Sequence, residues 1–301
     1  MAIERVHFRR LGAMRPVPSE VTPTVRVTSF EQFAALGDDN ANVALGAALI
    51  ARDVYPSLDV HALLSRMADL AAPLCKLQIA ELPPADQALA LATHLSECVG
   101  FRGNEQEYYD PRNSLLPDVL DRKLGIPISL CVVYGEVARH AGVRARGINF
   151  PGHFLLRVDA RDADSHPVFV DPFFGGRALD HDELEKLLAR RCPGEKLDHD
   201  KHLRPTDGRT TLVRMLINLK WIYASRGDFA RALLALDRII SLTPDSSAAL
   251  RERGLLALRL GAVEAARADL SRLLELVPQA PDASSIRDRL NELRAKASVL
   301  N

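Results

Sequence analysis

Cysteine is scarce. The 301 residues hold four, Cys75, Cys98, Cys131 and Cys192, far apart and with no CxxC. A chain this long needs no disulfide framework, and reduced thiols in a cytosol fit that usage. A charge of one sign is lacking too: 39 basic residues balance 39 acidic ones. Nothing in that balance points to nucleic acid or to an anionic membrane. Long apolar runs are missing. The longest, Val43 to Ala51, is far short of a membrane span. The first twenty residues have no apolar core for a secretory signal, so a soluble cytoplasmic protein is expected. No GxGxxG or Walker-type loop occurs, and no cofactor and no metal are expected.

Helix is plentiful. Apolar residues make up 47% of the chain, enough for substantial cores, and the length suggests two domains. Residues 1–28 carry Arg, Pro, Val and Thr without periodicity and read as a poorly ordered arm. Ser29 is a plausible cap for the helix that follows. Three further amphipathic stretches fill the segment to about residue 103; in one of them Leu58, Ala62, Leu63, Met67, Leu70 and Leu74 recur near helical spacing. A polar loop with Asp110-Pro111 and Asn113-Ser114 follows, then a short helix to Gly125. Pro127 suits the first position of the next helix, where its missing N–H costs nothing, and Gly142 ends that helix. Two or three strands come next, ARGINF, HFLLRV and VFVDPFF, then helix from Asp182 to Arg191.

From Thr210 the texture is helix–turn–helix, and it repeats. Gly227 pairs with Gly261, Ala232 with Ala266, Leu236 with Leu270, Leu242 with Leu276 and Pro244 with Pro278, each pair 34 residues apart. That period, with Gly in the turn and Pro closing the unit, is the tetratricopeptide signature. Ser284 to Ala297 reads as a capping helix. Two repeats are too few to stand alone, so they are expected to pack onto the first domain.

The chemistry-bearing residues lie between Gly125 and Pro172. A Gly-led helix is followed by a strand carrying His153 and a second strand carrying Asp171. A helix-borne thiol facing a His oriented by an Asp is the layout of a thiol-dependent acyl-transfer site. NSLLPDVLDRKLGIPISLCVVYGEVARHAGV, FPGHFLLRV and DPFFGG, in that order ahead of tetratricopeptide repeats, resemble the bacterial SirB-one family over roughly residues 42–300. The resemblance implies an α+β fold: a papain/transglutaminase-like core (104–203) with a helical N-terminal part (29–103), then an all-α repeat segment (204–301). It implies no known reaction. The wider superfamily starts its helix with Gly-x-Cys, and Gly125-Ile126-Pro127 falls on that motif, while His153 and Asp171 fall on its His and Asp. Proline has no nucleophilic atom, so the nucleophile does not carry over.

Cys131 is one turn further along the same helix face, ~5.4 Å down the axis. The terminal dipole that lowers a thiol pKa fades within the first turn, and Leu130, Val132 and Val133 are apolar neighbours. A small buried core residue is therefore weighed against a displaced nucleophile, and the setting favours the former. Ser129 is expected to bond a terminal backbone N–H or to line the groove. His153 and Asp171 form either a structural pair or a functional one. Asn113, Pro127, Ser129, Gly152 and Phe169 are the remaining groove candidates, and the family resemblance implies that Tyr108, Tyr109, Asp110 and Asn113 rim the groove, although turn chemistry already explains Asp110 and Asn113. His199 and His202 form an HxxH that reads as a solvated loop rather than a metal site. The leading expectation is a protein-interaction adaptor whose repeats hold a protein or peptide partner, with no nucleic acid and no membrane. The alternative is a cysteine-dependent amidase, protease or acyltransferase in which Cys131 attacks, His153 is the base and Asp171 orients it.

Overall fold

Residues 27–36, 42–160 and 166–299 are described by a computed structural model of the chain, with side chains as far as residue 292. The arm expected over residues 1–28 lies almost wholly outside the described residues.

Side-chain caps set the first helices. The Ser29 hydroxyl accepts from the Gln32 N–H at the start of α1 (Phe30–Ala34), as its position in the sequence suggests. Asn42 does the same for α2 (Val43–Arg52) and Asp59 for α3 (Val60–Lys76). Pro84 opens α4 (Pro84–Ala92), which widens into π-helical turns over Thr93–Cys98. Strand β1 (Arg102–Gly103) pairs in parallel with β2 (Leu124–Gly125) across α5 (Leu116–Arg122). These two-residue strands carry too little pattern to read from sequence. Gly103 is required there, because a Cβ on it would sit 2.6 Å from the Phe173 ring.

Helix α6 (Pro127–His140) is the axis of the core. It is buried nearly all round, from Pro127 through Ala138, as a helix enclosed on every side must be. It lies between α3 and an antiparallel meander of β3 (Ala145–Ile148), β4 (Leu155–Val158), β5 (Val168–Asp171) and β6 (Arg177–Leu179). The strand period of two divides this sheet between two cores. Leu156, Val158 and Val170 face α6 in the main cluster. Leu155, Phe169 and Leu179 face a smaller cluster with Leu184 and Leu188 of α7 (His181–Ala189) and with Leu203, which follows the short α8 (His199–His202).

The repeats are α9 (Gly208–Ser225) with α10 (Phe229–Leu242), and α11 (Ser247–Arg259) with α12 (Val263–Leu276), closed by α13 (Ala283–Val299). They do pack on the first domain. Leu212, Met215, Leu216 and Leu219 of α9 and Ala232, Leu236 and Ile239 of α10 belong to the same cluster as α2, α3 and α6. One continuous core therefore crosses the boundary expected at residue 203/204. Among the described residues no helix is long and apolar enough to cross a membrane.

Candidate functional site

The site is built on the start of α6. Pro127 is its first residue and is buried. The Ser129 hydroxyl accepts from the Ile126 N–H at 3.1 Å and lies 2.6 Å from the Asn113 carbonyl, to which it donates. Asn113 is fully buried. Its amide donates to the carbonyls of Glu107 and Tyr108 and accepts from Asn104 and Arg122. Asp110 is held between Arg112 and Arg122. Burial raises its carboxyl pKa, but the bonds and charge of those guanidiniums outweigh burial and leave it below its ordinary value. Asn113 and Ser129 were groove candidates. The structure seals both and spends them on fixing the 104–110 loop to the helix start.

His153 is not on a strand. It follows a turn in which its N–H reaches the Phe150 carbonyl and Gly152 adopts φ +70°, so the alternation expected for HFLLRV begins only at Leu155. Its Nε2 lies 2.9 Å from Oδ2 of Asp171, the last residue of β5. The other Asp171 oxygen accepts the N–H groups of Phe173 and Phe174 and caps the short turn that they form. One carboxylate thus fixes the imidazole and both neighbouring rings. His153 stacks on Phe174 and meets Phe173 edge-on, each at 6.2 Å. Phe173 in turn touches Tyr108, which touches Tyr109. The structure thus brings His153 and Asp171 together and adds a run of rings that ends in the exposed Phe174, Tyr108 and Tyr109. Gly152 lies beside it, with the Arg191 side chain over its Cα. Phe169, expected in the groove, packs in the smaller core instead, because it points to the α7 face of the sheet.

Cys131 is 3% exposed. Its thiol contacts the Phe154 carbonyl at 3.6 Å, and among the described residues it has no bond to His153. Burial pushes the thiol pKa well up, the Asp171 charge pushes it further, and Arg214 pulls weakly the other way. Cys131 also lines a cavity of about 960 Å³ between α6, the sheet and the start of α9, with Gly147, Phe154, Leu156 and Thr211. Ion pairs such as Glu136 with Arg139 and Arg146 with Asp159 stand at its rim.

Arg214 went unnoticed in the sequence. It stands on α9, more than eighty residues from Cys131, and no local motif announces it. Its guanidinium lies 5.3 Å from the Phe154 ring centroid and donates to the Asn149 side chain. The nearest signal in the sequence is the stripe of Arg214, Ile217 and Trp221 on one helix face, where two large apolar residues are exposed. HxxH is not the solvated loop expected: it forms α8, and His202 is buried with both ring nitrogens engaged. His202 Nδ1 accepts the Asp198 N–H, which leaves Nε2 as the donor to Glu195. No group of three metal-ligating side chains occurs among the described residues.

Comparison with known proteins agrees with this architecture. The family model of the transglutaminase-like superfamily matches residues 60–217, and that of the tetratricopeptide repeat matches 219–291. A UPF0162 protein of Xylella fastidiosa (strain 9a5c) is 39% identical over 88% of this chain and 94% of its own. The UPF0162 protein PA3419 of Pseudomonas aeruginosa is 33% identical over 71% of this chain and 76% of its own. The F-box only protein 21 of Homo sapiens shares 37% identity over 30% of this chain and 15% of its own. No solved structure matches. With a superfamily match over half its length, repeats behind the core as the SirB-one resemblance implied, and a relative 39% identical over most of both chains, this chain belongs to the UPF0162 proteins, within the transglutaminase-like superfamily.

Proposed function

We propose that this chain is a protein-binding adaptor on a transglutaminase-like core that has no working nucleophile. Tetratricopeptide repeats commonly mediate contacts between proteins, and their helices offer a surface for a partner segment. The single observation that carries the reading is where the thiol goes. Proline occupies the helix start, and the nearby sulfur of Cys131 is buried, turned to a backbone carbonyl and raised in pKa. A nucleophile needs the thiolate, within reach of a base. The His153–Asp171 pair then serves as scaffold, holding the exposed rings in place.

The test is thiol labelling of the native protein with iodoacetamide, read by peptide mass spectrometry. Cys75 and Cys98, both exposed, serve as internal standards. Cys131 is expected to stay unlabelled at neutral pH until the chain is unfolded, and to remain slow above pH 9 because its pKa is raised by burial. Fast labelling of Cys131 between pH 6 and pH 8 that His153→Ala abolishes would replace the adaptor by the cysteine-dependent amidase, protease or acyltransferase, with Cys131, His153 and Asp171 as its machinery.

A further inference from the structure

Three part-buried arginines of the repeats set a contrast for Arg214. Arg238 holds Asp53 and Glu31, Arg251 holds Asp282, and Arg253 holds Asp237 and Asp269. Each of these part-buried guanidiniums has a carboxylate. Arg214 is also part-buried, and burial lowers its pKa. Among the described residues it makes no ion pair, and the groups whose charge acts on it are the Tyr108 phenol and the Cys131 thiol, both neutral at pH 7. One of its five N–H donors is used by Asn149. A desolvated cation with a rigid fork of donors and no anion is an incomplete pair.

The surroundings supply the rest of a recognition surface. On one side stand Tyr108, Tyr109 and Phe174, anchored through Phe173 to His153. On the other, Ile217 and Trp221 continue from Arg214 along α9, with Trp221 65% exposed. Arg226 donates to the Tyr109 carbonyl and holds the end of α9 against the aromatic loop. Exposed aromatic anchors flanking an arginine are the make-up of a protein-binding hot spot.

We propose that this strip binds an internal segment of a protein partner through an Asp or Glu side chain on Arg214, with apolar or aromatic neighbours on Trp221 and Tyr109. This deepens the adaptor reading and rests on it. A carboxylate is favoured over a phosphate because no second cation acts on Arg214 among the described residues, and a phosphate's extra charge is met by clusters of arginines. An internal side chain is favoured over a chain terminus because the surface runs on past Arg214 in both directions. Ile217 and Trp221 follow it, and Thr211, one turn earlier, lines the open cavity beside Phe154.

The test starts from a phage-displayed library of random twelve-residue peptides selected against the full chain. Enriched peptides are expected to share an Asp or Glu next to an aromatic or large aliphatic residue. Fluorescence anisotropy then measures one enriched peptide and its Glu→Gln or Asp→Asn counterpart against the parent protein and Arg214→Gln. Either change alone should weaken binding about tenfold or more, and the two together should cost little beyond one, since they break the same pair. Trp221→Ala should weaken binding without altering the preference for an acid. The peptide counterpart needs no protein variant, so a folding defect in Arg214→Gln cannot mimic the result. Peptides that bind without an acid, independent additive losses, or a preference for phosphoserine over Glu would each overturn the carboxylate pairing while leaving the adaptor standing. Failure to enrich any peptide would overturn it too, and the labelling of Cys131 then decides the adaptor reading separately.

Discussion

At the scale of the residue, Asn113 carries more of this structure than its sequence context suggests. In the sequence it is half of an Asn-Ser turn signal. In the fold its amide serves carbonyls at 107 and 108 and accepts from Asn104 and Arg122, while its own carbonyl takes the Ser129 hydroxyl. Those partners sit on several different elements, and no local pattern could name them. The same limit hid Arg214. Conversely, Ser129 as a bonder of a terminal N–H and Pro127 as a first-turn residue were legible, because capping and proline geometry act within four residues. Asn113→Ala leaves several buried groups without partners, and each costs its desolvation. A loss of about 3 kcal/mol is expected in urea unfolding, together with faster proteolysis within residues 104–110. A loss below about 0.5 kcal/mol would mean that the loop bearing Tyr108 is held by something else.

Elements were legible where their period was long. The 34-residue repeat is reproduced down to single dihedrals. Gly227 and Gly261 sit at φ +76° and +79°, Asp228 and Ala262 both at −81°, and Thr243 and Val277 both at −135°. Ala232 and Ala266 are equally and fully buried. Short elements were not legible: β6 has three residues, and the turn before His153 is set by Phe150 and Gly152 rather than by alternation. The two repeats differ at one informative position. Asp228 caps α10 by accepting the Arg231 N–H, whereas Ala262 gives α12 no side-chain cap. The matching backbone at 262, exposed to solvent, should accept the same cap. Ala262→Asp is expected to stabilise α12 by about 1 kcal/mol. Hydrogen exchange over residues 263–276 would slow about fivefold; unchanged or faster exchange there would mean that the repeats are not equivalent at this turn.

At the scale of the whole molecule, the change of texture at Thr210 invites a division that the packing does not follow. The main core runs from Phe30 through α6 into α9 and α10 without interruption. Arg238 of α10 adds ion pairs to Asp53 and Glu31 and lies over the Phe30 ring at 4.9 Å. The second repeat and its cap are different. Leu250, Leu270, Leu273, Ile286 and Leu290 make a small cluster of their own. Cooperativity follows buried contact rather than family boundary, so the unit that unfolds last should hold α6 and α9 together, with α12 and α13 opening at lower free energy. Native-state hydrogen exchange in rising urea separates the two cases. If α9 amides merge with those of α6, the first repeat is part of the core and fixes the place of Arg214 beside Tyr108 and Phe154. If α9 opens with α12 instead, the repeats are a separate body, Arg214 is not rigidly placed, and a strip shared between core and α9 could not be preorganised for a partner.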